Sequence, residues 1–143
     1  MNITGASGAI PRSDWNRMDE HAERYYEEIR RRTSDVQAIV QNTGLKVSEV
    51  EAAKQHIFFN KYKLDGDEPQ TFDPSYDMAV SWQRLIDGKN IREMDIVMLR
   101  HELLEHKIMT EQGLSYRAAH KQANEQYNYQ AYCDELDRKA GVR

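Results

Sequence analysis

The stretch Asp95-Ile96-Val97-Met98-Leu99-Arg100-His101-Glu102-Leu103-Leu104-Glu105-His106-Lys107-Ile108-Met109 decides how the chain folds. At 100° per residue, Met94, Val97, Leu104 and Ile108 gather on one face, and Ile96, Leu99 and Leu103 form a second apolar face. A helix that is apolar on two sides belongs at the centre of a bundle. His101 projects inside the first face, and Glu105 lies one turn along at its border. A buried carboxylate without a partner costs several kcal/mol, so Glu105 needs a hydrogen bond, an arginine or a metal. Glu102 and His106 make another i,i+4 pair, expected on a more polar strip with Asp95.

Outward from this helix the pattern stays helical. Trp15, Met18, Ala22, Tyr25, Tyr26 and Ile29 fall on a 3.6-residue stripe after a cap at Ser13 or Asp14. Thr33-Ser34-Asp35 opens a second helix that ends at Gly44, and Ser48 can cap a third running toward Phe58. Val40, Gly44 and Val50 have helix-turn-helix spacing, although Glu49 and Glu51 in the would-be recognition helix repel a phosphate backbone. Residues 58–72 read as a loop that can close as a short β-hairpin, with a tight turn at Asp65-Gly66. Asp73 as N-cap and Pro74 at the first helical position open a helix through Trp82 to Asp87-Gly88. Further helices are expected from about Arg92 to Thr110, from Ser115 to Gln126 and from Tyr129 to Lys139. The fold class is therefore all-α, an irregular bundle of five to seven helices. Residues 1–12 read as a flexible lead or linker and residues 13–143 as one domain.

The 143 residues carry 20 Lys+Arg against 24 Asp+Glu, a net charge of -4 that gives no global field for holding nucleic acid. A single cysteine, Cys133, cannot make an intrachain disulfide, so no oxidising compartment is required. No segment approaches the roughly 20 apolar residues of a membrane span. The expected setting is cytoplasmic or virion-associated.

The chemistry-bearing residues concentrate around HELLEH, residues 101–106. The pattern departs from the H-E-x-x-H and H-x-x-E-H metal signatures and leaves H-E-x-x-E, in which His101 and Glu105 could reach one divalent ion from the same helical face. The same two residues also suit a metal-free catalytic histidine, or a histidine satisfied by hydrogen bonds in the core. His120 lies on the stripe of Tyr116, Ala123 and Tyr127 and should face inward from the next helix. Two inward imidazoles and a carboxylate suit acid and base roles. His56, beside Phe58 and Phe59, is a further catalytic candidate. Arg84 could stabilise a phosphate or a developing anion, or form a salt bridge to Glu105 or Asp77. His21 is expected on the surface, and the tyrosines and tryptophans have the spacing of core packing. Cys133 has no histidine at a fixed short spacing and is not expected to be a nucleophile.

Together, the segments His56-Ile57-Phe58-Phe59, FDPSYDMAVSWQRLIDGKNI (72–91), DIVMLRHELLEH (95–106), GLSYRAAH (113–120) and Tyr127-Asn128-Tyr129 resemble the C-terminal ends of phage minor head (head-morphogenesis) proteins and of bacterial polymorphic toxins. The resemblance covers Ala22 to Tyr129. It implies a modular tip domain attached to an upstream phage or toxin delivery module, commonly an effector turned on a competing cell and met there by an immunity protein. No catalytic assignment comes with it. The expected function is a toxin-like effector, a histidine-dependent hydrolase or nuclease centred on His101, Glu105 and His120 with Arg84 as anion stabiliser. The alternatives are a non-catalytic module binding capsid or an immunity protein, and a helix-turn-helix DNA binder.

Overall fold

A computed structural model describes residues 10–64 and 66–142. Among these residues the chain forms seven α-helices and no strand. α1 (Trp15–Arg31) starts where Asp14 accepts from the Arg17 amide at 3.2 Å, and it buries Met18, His21, Ala22, Tyr25, Tyr26 and Ile29. α2 (Asp35–Thr43) ends at the left-handed Gly44. α3 (Val47–Lys54) begins with Glu49 accepting from the Lys46 amide, and then widens into a π-helical turn, Gln55–Phe59, closed by Asn60 N donating to Gln55 O at 2.8 Å. α4 (Tyr76–Asp87), α5 (Glu93–Gln112), α6 (Tyr116–Gln126) and α7 (Tyr129–Lys139) follow.

The all-α expectation holds, with local corrections. α4 is capped by the Ser75 hydroxyl, which accepts from Met78 N, so Asp73 and Pro74 lie ahead of the helix. Serine two residues after Asp73 satisfies the same orphan donors, which is why either reading fits the local sequence. The loop of residues 58–72 closes through one antiparallel bridge, Tyr62 to Gln70, and Asp65 lies outside the described residues. Of the lead, residues 1–9 lie outside the described residues. Ile10 packs beside Met18, Ala22, Tyr76 and Val80, and Arg12 pairs with Asp77 at 2.7 Å and Asp137 at 2.9 Å. His21 is buried against Tyr25 and Tyr76, correcting its surface placement.

α5 is the central rod, packing against α3, α4, α6, α7 and the π-helical turn. Its buried side differs from the two faces drawn from sequence. Met94, Met98, His101, Glu105 and Ile108 form one stripe, Asp95, Leu99 and Glu102 form the next, and Val97 and Leu104 are only half-buried. Polar groups therefore take inward positions that hydrophobicity alone assigns to Val97 and Leu104. Beneath α5 lies a core of Tyr25, Tyr26, Ile29, Ile39, Phe58, Trp82, Leu85, Met98 and Leu99. Asp35 stitches three helices across it, accepting from Lys54 Nζ at 2.9 Å and Trp82 Nε1 at 3.2 Å. The α4 terminus packs so closely on α2 that a Cβ at Gly88, whose φ is +74°, would stand 2.8 Å from the Asn42 side chain. Asn42 Nδ2 donates there to Leu85 O at 2.9 Å and Ile86 O at 3.0 Å, supplying two of the carbonyl partners a helix end lacks.

Candidate functional site

Glu105 is the hub. Its carboxylate is buried, and three histidines from three different elements converge on it. His56 Nε2, from the π-helical turn, lies 2.7 Å from Oε1. His101 Nε2, one turn back on α5, lies 3.1 Å from Oε2, and His120 Nδ1, from α6, lies 2.8 Å from the same oxygen. Burial pushes the Glu105 carboxyl up, but the bonds with His101, His120 and His56 outweigh it and hold the carboxyl well below the usual range.

His56 and His101 are anchored at their far sides. Asn60 Nδ2 donates to the Tyr62 hydroxyl at 3.0 Å, and that hydroxyl meets His56 Nδ1 at 2.7 Å. The assignment consistent along this chain has Tyr62 O–H donating to His56 Nδ1 and His56 Nε2–H donating to Glu105. His101 Nδ1 sits 2.9 Å from the Tyr127 carbonyl, which can only accept, so Nδ1 carries a hydrogen. His101 Nε2 then faces Glu105 and, at 3.5 Å, Glu102. Although burial opposes it, the bond to Glu105 and the charge of Glu102 raise the proton affinity of His101.

His56, His101, Glu105 and His120 are thus brought together, and the rings of His101 and His120 meet edge to face at 5.0 Å. Arg84 is not part of the group. It is buried in a bidentate pair with Asp95, Nε to Oδ2 at 2.8 Å and Nη2 to Oδ1 at 2.7 Å, so its guanidinium is bound to Asp95 in place of Glu105 or Asp77 and is turned into the core. Asp95 outcompetes them because it also accepts from Arg92 N at 2.9 Å and is locked at the start of α5. Cys133 is buried, and burial pushes its thiol far above the range of a nucleophile.

Sequence reasoning placed Glu102 on a polar strip pointing away. The structure turns it inward, 7% exposed, and burial followed by the charge of Glu105 pushes its carboxyl up to about 8. The signal was the i,i+3 and i,i+4 relation of Met98, His101, Glu102 and Glu105, which places all four on one flank. His106, from the same strip, stacks its edge on His56 at 5.3 Å.

The cluster opens onto a cleft of about 760 Å³ whose wall includes His101, Glu102, Tyr116, His120, Asn124 and Tyr129. His120 is half-exposed there, while His56 and Glu105 close the floor behind it. No family model, curated protein or solved structure matches the chain. Two sets of side chains have metal-ligand character: His101, Glu105 and His120, and, sharing Glu105, His56, Glu102 and Glu105. In each set the ligand atoms all lie within 4.8 Å of one another. A carboxyl that holds its proton near neutrality, beside imidazoles fixed by a carboxylate, is equipped for proton transfer to a bound molecule. Among the described residues no helix is long and apolar enough to cross a membrane.

Proposed function

We propose that this chain is a toxin-like effector domain of a phage or polymorphic-toxin system that hydrolyses a phosphodiester or related bond in the cleft over His101, Glu102, Glu105 and His120. The observation that supports it is the opening of this cluster to solvent: a purely structural histidine network has no need of a cleft above it. In the proposed reaction the oxygen of a water bonds to the electrophilic centre as the proton held by Glu102 passes to the leaving atom. The bond to the leaving atom breaks, and the water's proton restores the Glu102 carboxyl. His101 and His120 are held by Glu105 to position the water and the group under attack.

The cleft wall narrows the substrate. Asp73, Asp77, Glu102 and Asp137 line it against Arg117, with Arg12 bonded to Asp77 and Asp137. Such a wall accommodates a small or neutral substrate better than a long polyanion. A non-catalytic module binding capsid or an immunity protein is the second reading, supported by the fact that both oxygens of Glu105 are already satisfied.

Growth of cells expressing the chain, its Glu102→Gln variant and its His120→Gln variant separates the two. The hydrolase reading expects the parent to arrest growth and both variants, folded by circular dichroism, to permit it. Folded variants as toxic as the parent, or a harmless parent, would leave the interaction module standing.

A further inference from the structure

The geometry points to His101, Glu105 and His120 as the three protein ligands of one divalent transition-metal ion at the floor of the cleft. The inference deepens the hydrolase reading and rests on it for the purpose of the ion, while binding itself is a separate property.

Three features of the surroundings support it beyond proximity. His101 Nδ1–H is committed to the Tyr127 carbonyl at 2.9 Å, so a neutral His101 presents a bare Nε2 lone pair to Glu105 Oε2 at 3.1 Å. Two acceptors facing each other at that distance need a proton or a cation between them. A ring N–H held by a backbone carbonyl is also the usual support of a metal-bound histidine. Glu105 Oε1 is taken by His56 Nε2 at 2.7 Å, which leaves Oε2 as the oxygen turned toward both His101 and His120.

The third feature is Asn124. Its Nδ2 lies 3.4 Å from His120 Nε2, and its Oδ1 is buried with no hydrogen-bond partner. Turning the carboxamide over would let Oδ1 accept from His120 Nε2–H, satisfying the orphaned oxygen. The hydrogen on Nε2 then leaves Nδ1 as the lone pair, aimed at the position His101 Nε2 and Glu105 Oε2 also face. One rearrangement thus satisfies a buried acceptor and completes a set of three ligand atoms.

Two imidazole nitrogens and one carboxylate oxygen suit zinc and neighbouring first-row ions better than calcium or magnesium, which prefer all-oxygen sites. Three protein ligands leave a position open for water on the cleft side, where Glu102 stands. A bound ion would make that water a stronger acid.

The test is calorimetric titration of zinc into the full chain after dialysis against chelator, with unfolding followed in parallel. The expected result is one zinc per chain and a raised Tm. His120→Gln, whose ring is half-exposed and whose loss spares the core, should weaken binding by about a hundredfold or more, beyond the ~10–100-fold of a lost supporting contact. Glu102→Gln should still bind one zinc while losing toxicity. No binding, a stoichiometry other than one, or unweakened binding by folded His120→Gln overturns the metal site. Retained toxicity in zinc-loaded Glu102→Gln would instead count against the hydrolase reading and leave the metal site intact.

Discussion

Replacing Arg84 by Met tests whether that residue serves the fold or the reaction. The guanidinium and its partner Asp95 are almost wholly buried, with side-chain exposures of 6% and 0%, and they meet through two bonds of 2.7 and 2.8 Å. Removing one member leaves Asp95 charged in the interior with only its bond from Arg92 N, a loss of about 3–5 kcal/mol for pairs of this kind. With an unfolding entropy of about 2.1 cal/mol/K per residue, the chain as a whole has about 0.3 kcal/mol/K, so Tm should fall by about 10–17 °C. The double variant Arg84→Met/Asp95→Leu removes both charges and should recover most of that drop, short of about 1 kcal/mol for the lost cap on α5. Differential scanning calorimetry reads both numbers. Below the melting range, growth inhibition per folded molecule of Arg84→Met should equal that of the parent, because the guanidinium faces Asp95 and not the cleft. A Tm loss under about 3 °C, no recovery in the double variant, or a folded Arg84→Met without toxicity would refute this account.

Three further outcomes are expected. Burial, followed by the neighbouring charge of Arg24, holds His21 below its ordinary proton affinity, and Glu28 opposes this only in part. The folded chain then binds that proton less readily than the unfolded one, so the stability due to His21 is complete above about pH 6.5 and is lost as pH falls; denaturant melts of His21→Phe should show a shallower decline between pH 7 and 5 than the parent. Asn42→Ala removes both side-chain donors to the end of α4 and should lower stability by about 1–3 kcal/mol in urea unfolding; an unchanged midpoint would mean that water replaces the amide freely. His56→Phe deletes the donor to Glu105 Oε1 from outside the three ligands and should weaken zinc binding by about 10–100-fold while the fold is retained, and unaltered calorimetric titration would remove His56 from any supporting role.

The helices were legible because their signals are local. The stripe from Met18 to Ile29, the glycine after α2 and the Gln112-Gly113 break each act within a turn or two of chain, and α5 stood out as central from its apolar breadth. The convergence of His101, Glu105 and His120 was legible for the same reason, since helical phase brings two of them together and an antiparallel neighbour supplies the third. What escaped depends on contacts distant in sequence. Arg84 chose Asp95 because α4 and α5 dock with those ends adjacent, a fact no periodicity contains. His56 could not be given a direction, because the π-helical turn rotates it away from the phase that an α-helix would impose. Glu102 was misplaced because a hydrophobicity count favours Val97 and Leu104 as the inward positions, while the fold buries carboxyls instead.

α5 carries two answers to one physical problem. Asp95 and Glu105 are both carboxylates with essentially no solvent contact. Asp95 is neutralised by Arg84, a cation that does not give up its charge at any ordinary pH and whose planar fork matches a carboxylate. Glu105 is instead surrounded by three imidazoles, with partners of their own in Tyr62, Tyr127 or the α6 flank. If structure were the sole requirement, the arginine solution would suffice with one partner in place of three. Histidine is the better choice only where the positive charge beside the carboxylate must be movable, whether as a proton passed to a bound molecule or as a metal ion that takes the protons' place. The permanent pair is turned into the core while the histidine set lies under the cleft, which is the arrangement the proposed hydrolase would need.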